Sequence, residues 1–206
     1  RDPEMSRGLG DVYKRQNLPS ETIGEEMYEL LTMANQTTED VFSLLDNLLK
    51  WTKSQIGKLK VVYQELNMVE VVEGVGEIFT MVAGLKNIKI VQDMPVVPVV
   101  VRADIDMLKT VIRNLISNAI KFSNEGSEVL VSLTEEDGMA IVSVKDSGCG
   151  IDEENQKKLL HTDTHFSTFG TNNEEGSGLG LLLCQDFVVK NGGKLWFTSK
   201  KGDGST

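Results

Sequence analysis

The chain has 206 residues, 40% of them hydrophobic and 25% charged, with a formal net charge of −10. This is the balance of a folded protein with one ordinary core, or with a medium domain and a helical appendage. So acidic a surface repels phosphate backbones, which argues against nucleic acid as a partner. No run of 18 apolar residues offers a membrane span, and the opening residues are polar and charged, unlike a secretory signal. Cys149 and Cys184 are far apart and form no CxxC, so they read as reduced thiols of a cytoplasmic protein rather than a disulfide frame or a zinc site.

Residues 1–16, "RDPEMSRGLGDVYKRQ", show no periodicity and do not blend into the helical pattern that begins near Ser20. They read as a leader foreign to the domain or as a native flexible tail. From 20 to about 56 the pattern is helical. Ser20 or Thr22 can cap it, and Glu25 stands three residues after Thr22 as in a capping box. Met27, Leu30, Ala34, Thr37, Val41, Leu44, Leu48 and Trp51 recur every three or four residues, and Leu31, Phe42, Leu45, Leu49 and Ile56 run beside them. Two adjacent stripes are wider than a two-stranded coiled coil needs. The helix therefore reads as one member of a bundle, the alternative being a linker helix packed on its own domain.

Gly57 breaks this pattern. "KLKVVYQEL" (58–66) reads as a short strand with a turn, and 67–87 as a helix capped by Asn67 and ending near Asn87, despite Gly74 and Gly76. "IKIVQDM" (88–94) alternates as a strand does. "PVVPVVVRAD" (95–104), with two prolines, is a short edge strand or an extended loop. Asp104 then caps a helix over 105–123 whose core face is Ile105, Leu108, Val111, Ile112, Leu115, Ile116, Ala119 and Phe122. Residues 128–148 form a hairpin about Asp137-Gly138. A short helix is expected over 152–160, a long polar connection over 161–178, a helix over 179–193 ended by Gly192-Gly193, and a strand from 194 that stops in a Gly-rich turn. Mixed helices and strands with local hairpins predict an α+β layer of helices on one sheet.

Four stretches carry chemistry. In "VIRNLISNAIKFS" (111–123), Asn114 and Asn118 lie one turn apart on one side of the helix, with Lys121 a turn further. A carboxamide oxygen is a neutral ligand suited to Mg²⁺ that already carries phosphates, and its NH₂ can donate to a phosphate oxygen. Alone, the pair is equally an ordinary solvated face. In "VKDSGCGI" (144–151) an apolar strand runs into Asp146, then Gly148 and Gly150. A strand-end carboxylate can accept from an exocyclic amine, and the glycines let backbone come close, although a plain Asp-Ser-Gly turn looks the same. In "EEGSGLGLLL" (174–183), Gly176, Gly178 and Gly180 lead into a helix, freeing backbone N–H groups for an anion. It is neither a Rossmann fingerprint nor a Walker A loop, since no strand precedes it and no Gly-Lys-Ser/Thr follows. "KGDGST" (201–206) is another Gly turn.

As an ordered set these stretches resemble the N, G1, G2 and G3 boxes of the histidine kinases of two-component signalling: "NLISNAIKFS", "DSGCGI", "GSGLGL" and "GDGST". "FSTF" (166–169) resembles the intervening F box, and the resemblance covers nearly the whole chain from Asn17 on. It implies a Bergerat-type (GHKL) two-layer α/β sandwich with a mixed sheet at 59–206, preceded at 17–58 by the second helix of the dimerisation and phosphotransfer hairpin. It also implies ATP and Mg²⁺ as ligands and cytoplasmic phosphorelay chemistry, in a parent that is homodimeric and that a membrane anchor outside this chain could tether. The expected partner is a response-regulator receiver domain, and no membrane contact is expected within 1–206.

On this resemblance Asn118 and Asn114 coordinate Mg²⁺, Lys121 neutralises phosphate charge beside Phe122, and Asp146 accepts from adenine N6 with Gly148, Gly150 and Ile151 around it. Phe169, Gly170 and Thr171 belong to the ATP lid over about 161–176. Gly176, Ser177, Gly178, Leu179, Gly180 and Leu181 approach the phosphates, and Thr206 closes the G3 turn. Gyrase-type and mismatch-repair-type ATPases of the same fold carry Glu where Asn114 stands. An amide has no useful basicity, so phosphoryl transfer rather than water activation is implied.

The two histidines, His161 and His165, both fall in the lid and lack the acidic neighbour and following proline of the family's acceptor. They read as polar lid residues. The acceptor helix is expected before Asn17, so this chain is expected not to label itself. A non-catalytic nucleotide-binding or scaffold module of the same fold is the alternative reading. Nucleotide binding and steady phosphate release separate the kinase, the module and the ATPase.

Overall fold

The computed structural model describes residues 24, 27, 31, 38, 41, 45–54, 56–57, 59–157, 159, 170–171, 174 and 178–206. The chain divides into two compact units, 1–49 and 50–206. In the first, the described residues Met27, Leu31, Thr38, Val41 and 45–49 are helical, and Met27, Val41, Leu45, Leu48 and Leu49 are exposed. The expected leader at 1–16, the start of the expected helix and its stripe residues Leu30, Ala34, Thr37, Phe42 and Leu44 lie outside the described residues.

The second unit opens with helix to Ser54. Gly57 takes φ +65°, a left-handed turn residue, and its N–H donates to Ser54 O at 3.1 Å while Leu59 N donates to Lys53 O at 3.1 Å. This is the glycine stop expected from the sequence. There follow β1 (Gln64–Asn67), α1 (Met68–Leu85), β2 (Lys89–Asp93), β3 (Val100–Ala103), α2 (Ile105–Phe122), β4 (Glu128–Glu136), β5 (Met139–Lys145), α3 (Glu153–Gln156), α4 (Gly180–Lys190), β6 (Ser199–Lys200) and β7 (Gly204–Ser205). Asn67 caps α1 as expected, its Oδ1 accepting from Val69 N at 3.2 Å. Asn87 (φ +54°) turns the chain out of that helix, and Asp137 (φ +51°) with Gly138 (φ +74°) forms the tight turn between β4 and β5.

β2 runs parallel to β4, and β4 antiparallel to β5, so the sheet is mixed; β1 pairs antiparallel with β3. Val129, Val131 and Leu133 alternate on one face of β4 and are buried against α1 and α2, with Val71, Val72, Val75, Ile112, Ile116 and Ala119 opposite them. A second cluster joins α2 to α4: Met107 and Val111 meet Leu183, Cys184 and Phe187, and Trp51, Leu59 and Val61 pack on its margin. α2 is therefore buried on two sides. The one-face reading of the sequence omitted Met107 and Ile120, which are buried, and included Phe122, which is only half-buried.

Two expected elements are shorter. The helix expected over 152–160 is confined to Glu153–Gln156, capped by Asp152, whose Oδ1 accepts from Asn155 N at 2.9 Å. The strand expected from 194 finds a partner only from Thr198, which exchanges backbone hydrogen bonds of 2.9 and 2.8 Å with Thr206 just ahead of β6. Alternation alone cannot say where an extended segment finds a partner. No helix among the described residues is long and apolar enough to cross a membrane.

Candidate functional site

Asp104 sets the direction of α2. Its Oδ1 accepts from Asp106 N and Met107 N at 3.0 and 3.1 Å, and its Oδ2 from Val62 N at 2.8 Å. Asn191, just past α4, accepts from Asp104 N at 2.8 Å. The start of α2 is thus tied to the end of α4, and the two helices run together toward the opposite end, where the chemistry-bearing residues collect.

There, Asn114 and Asn118 are half-buried, four residues apart on α2. Asn114 Nδ2 donates to Thr110 O at 3.0 Å. A Cβ on Gly180, the first residue of α4, would stand 3.0 Å from Asn114 Oδ1. The N-box amide and the G2 glycine are therefore neighbours. Gly178 has φ +68°, and Leu179, in the N-cap position, makes no side-chain cap. The first turn of α4 also lacks an acidic residue, which suits an anion at its N–H groups. Lys121 holds its ammonium 4.9 Å from the Phe122 ring centroid, a cation–π arrangement.

Asp146 continues β5 past Lys145 and is 8% exposed. Its Oδ1 accepts from Gly148 N at 2.8 Å and from Ser205 N at 3.3 Å. Its own N–H donates to Ser205 O at 2.9 Å. Burial pushes its carboxyl above the ordinary value of 3.8, against the opposing pull of the two backbone donors. Both donors go to Oδ1 rather than Oδ2.

The G1 and G3 glycines have a role that spacing did not foretell. A Cβ on Gly148 would come 2.1 Å from Phe122 O, one on Gly150 2.0 Å from Lys200 O, and one on Gly204 2.1 Å from Asp146 O. These glycines let the chain approach itself. Cys149 N donates to Phe122 O at 3.2 Å and Gly202 N to Cys149 O at 2.8 Å, which packs G1 between the end of α2 and the G3 turn. Ile151 N donates to Ser199 Oγ at 2.9 Å.

On the other side of α2, Thr171 N donates to Lys121 O at 3.1 Å, Thr171 Oγ1 to Ser123 O at 2.7 Å, and Gly170 N to Glu174 O at 2.9 Å. Leu179 is buried, Leu181 is half-buried, and exposed Thr206 directs its backbone to Thr198. Phe169, Gly176, Ser177, His161 and His165 lie outside the described residues. Sequence reasoning missed Lys86, Glu174 and Ser205. Of these, Ser205 inside the G3 stretch and Glu174 at the head of "EEGSGLGLLL" lay in stretches already singled out, whereas Lys86 lay in none.

The donor set suits a magnesium-loaded nucleotide. Among the described residues no group of three His, Cys, Asp or Glu could hold a metal ion. A cation at Asn114 and Asn118 would thus bring its neutralising charge from phosphates, and the buried carboxylate of Asp146 suits an exocyclic amine.

A family model described as histidine kinase-, DNA gyrase B-, and HSP90-like ATPase matches residues 103–206. The adaptive-response sensory kinase SasA of Crocosphaera subtropica is 30% identical over 203 residues, covering 98% of this chain and 50% of the relative. The chain thus spans about half the length of that curated relative. The catalytic domain of the histidine kinase ThkA, in a nucleotide-free form, aligns with a TM-score of 0.60 at 28% identity, over 70% of this chain and 91% of that domain. ThkA in complex with the response regulator TrrA aligns over 100% of this chain and 56% of that one, with a TM-score of 0.67 at 20% identity, a likeness of fold.

Proposed function

Because the chain belongs to the histidine kinase-, DNA gyrase B- and HSP90-like ATPase family, we propose that 59–206 is the ATP-binding catalytic domain of a sensor histidine kinase. It binds Mg-ATP and presents the γ-phosphoryl group to a histidine on a dimerisation hairpin, to which the segment 17–58 contributes the second arm. The phosphoryl group then passes to an aspartate of a response-regulator receiver domain, a partnership supported by the ThkA complex. The complete protein works as a homodimer on the cytoplasmic side.

The roles follow from the side chains. Asn118 and Asn114 would hold Mg²⁺ through their carboxamide oxygens, and the ion so held would supply positive charge to offset that of the phosphates. Asp146 reads the adenine amine. Lys121 and the N–H groups at Gly178 and Gly180 attend the phosphates, and Thr171 anchors the lid's later part to α2. With an amide at 114, none of the side chains named here for the phosphates is a base for water, so the acceptor comes from outside the pocket.

One observation carries this reading: Asn114 adjoins Gly180 at one end of the same helix turns whose last carbonyl, Phe122 O, adjoins Gly148 and Cys149 beside Asp146. Three stretches separated in sequence thus border one region. Calorimetry of this chain with Mg-ATP tests it. Saturable binding that needs Mg²⁺ and prefers adenine is expected, and no heat with Mg-ATP would end the reading.

A further inference from the structure

Lys86, the residue after α1, lies outside the N, G1, G2 and G3 stretches, yet its side chain is only 8% exposed. Its ammonium has three protons and three acceptors: Ile120 O at 3.1 Å, Lys121 O at 2.9 Å and Glu174 Oε1 at 2.9 Å. Two of these are carbonyls of the last turn of α2, where the helix leaves acceptors without intrahelical donors and where a cation is favoured by the helix dipole. The third belongs to the polar connection, four residues before Gly178.

We infer that Lys86 is a positioning residue for the phosphate end of the nucleotide site. One buried cation fixes the turn that carries Asn118 and Lys121 relative to the chain that enters the G2 glycines. The inference rests on the nucleotide reading and adds to it a residue from a different helix.

The geometry separates the two ends of the pocket. The adenine end is built by Asp146 with Gly148 and Ser205, none of which touches Lys86. The phosphate end depends on the spacing between α2 and the approach to α4, and Lys86 bridges that spacing. Gly170 and Thr171 reinforce the same side, since a Cβ on Gly170 would lie 2.8 Å from Lys121 O and 2.3 Å from Glu174 Oε2. A Met at 86 keeps the aliphatic stem and removes all three bonds. A Gln at 174 keeps its shape and removes only the charge.

The test is calorimetric titration of the whole chain and of Lys86→Met, Glu174→Gln and the double variant, with Mg-ATP, Mg-ADP and AMP. Lys86→Met is expected to weaken Mg-ATP about tenfold, the scale of one charge-assisted hydrogen bond, while AMP affinity stays within about twofold. Glu174→Gln is expected to show a smaller loss with the same bias toward ATP, and the double variant no more loss than Lys86→Met alone. Equal weakening of all three ligands, or additive losses in the double variant, would overturn the role of Lys86 while leaving the nucleotide reading intact. If Lys86→Met does not fold, Glu174→Gln decides by the same ATP-to-AMP ratio. Failure of the unaltered chain to bind any of the three would overturn both.

Discussion

A side chain on Gly180 would stand 3.0 Å from the carboxamide oxygen of Asn114. The neighbour is the tip of a side chain, not backbone, so the fold can yield where the pocket cannot. Gly180→Ala should leave Tm within a few degrees, helped by alanine's higher helix propensity at the start of α4. It should weaken Mg-nucleotide binding by displacing Asn114. Thermal melts and calorimetry on the same sample check the pair, and a fall in Tm with full binding would contradict the assignment of this contact to the site.

Asp146→Asn separates recognition from folding. Asparagine keeps Oδ1 for Gly148 and Ser205 and loses the charge whose burial is costly. The wild-type carboxyl has its folded-state value raised above 3.8. Its contribution to stability is present below the unfolded value and is lost as pH rises through the folded one. The variant escapes that loss, so its Tm at neutral pH should equal or exceed wild type. Adenine nucleotide affinity should fall about tenfold or more, since a hydrogen bond to a charged acceptor is removed. In the wild type, the affinity that depends on this acid should begin to fall on acidification while the pH is still above 3.8.

Glycines at the pocket should differ sharply in cost. At Gly148 a methyl group meets the backbone oxygen of Phe122 at 2.1 Å. Gly148→Ala should cost about 3 kcal/mol, roughly a 6–12 °C fall in Tm for a chain of this size. Gly202 has φ +86° but nothing within 4 Å of an added Cβ, so Gly202→Ala should cost only about 1–2 kcal/mol of backbone strain. The order of the two melting temperatures is the check.

The two thiols should behave oppositely. Cys184 is fully buried and burial pushes its thiol up to about 12, whereas Cys149 is exposed in the G1 turn. A thiolate is the reactive form. A disulfide reagent should therefore titrate one thiol per native chain and two after denaturation, and Mg-ATP should slow the first reaction. Equal rates at both sites would contradict the packing of α4 on α2.

Incubation of this 206-residue chain with γ-labelled ATP should yield no acid-labile phosphate. Its two histidines, His161 and His165, lack the acceptor's surroundings. Adding a polypeptide that carries a hairpin helix with an acceptor histidine should allow transfer. Label on either lid histidine would refute the lid assignment.

Much of this molecule was legible one residue after another. Caps at Asn67 and Asp104, the stop at Gly57, the Asp137-Gly138 turn and the period of β4 are local. Each is dictated by hydrogen-bonding and steric limits within a few residues, so sequence determined them alone, and the order of the Asn, Asp and Gly stretches pointed to nucleotide chemistry. The tertiary structure decided which groups meet. Gly148, Gly150 and Gly204 are required because backbones from distant segments pass where a Cβ would sit, and no spacing rule names the passing segment. Burial of α2 on its second side depended on α4 docking there. Lys86 was invisible for the same reason: a lysine ending a helix usually meets water. This one meets two carbonyls of another helix only because α1 and α2 pack side by side, and the polar connection brings Glu174 to the same ammonium as a third acceptor.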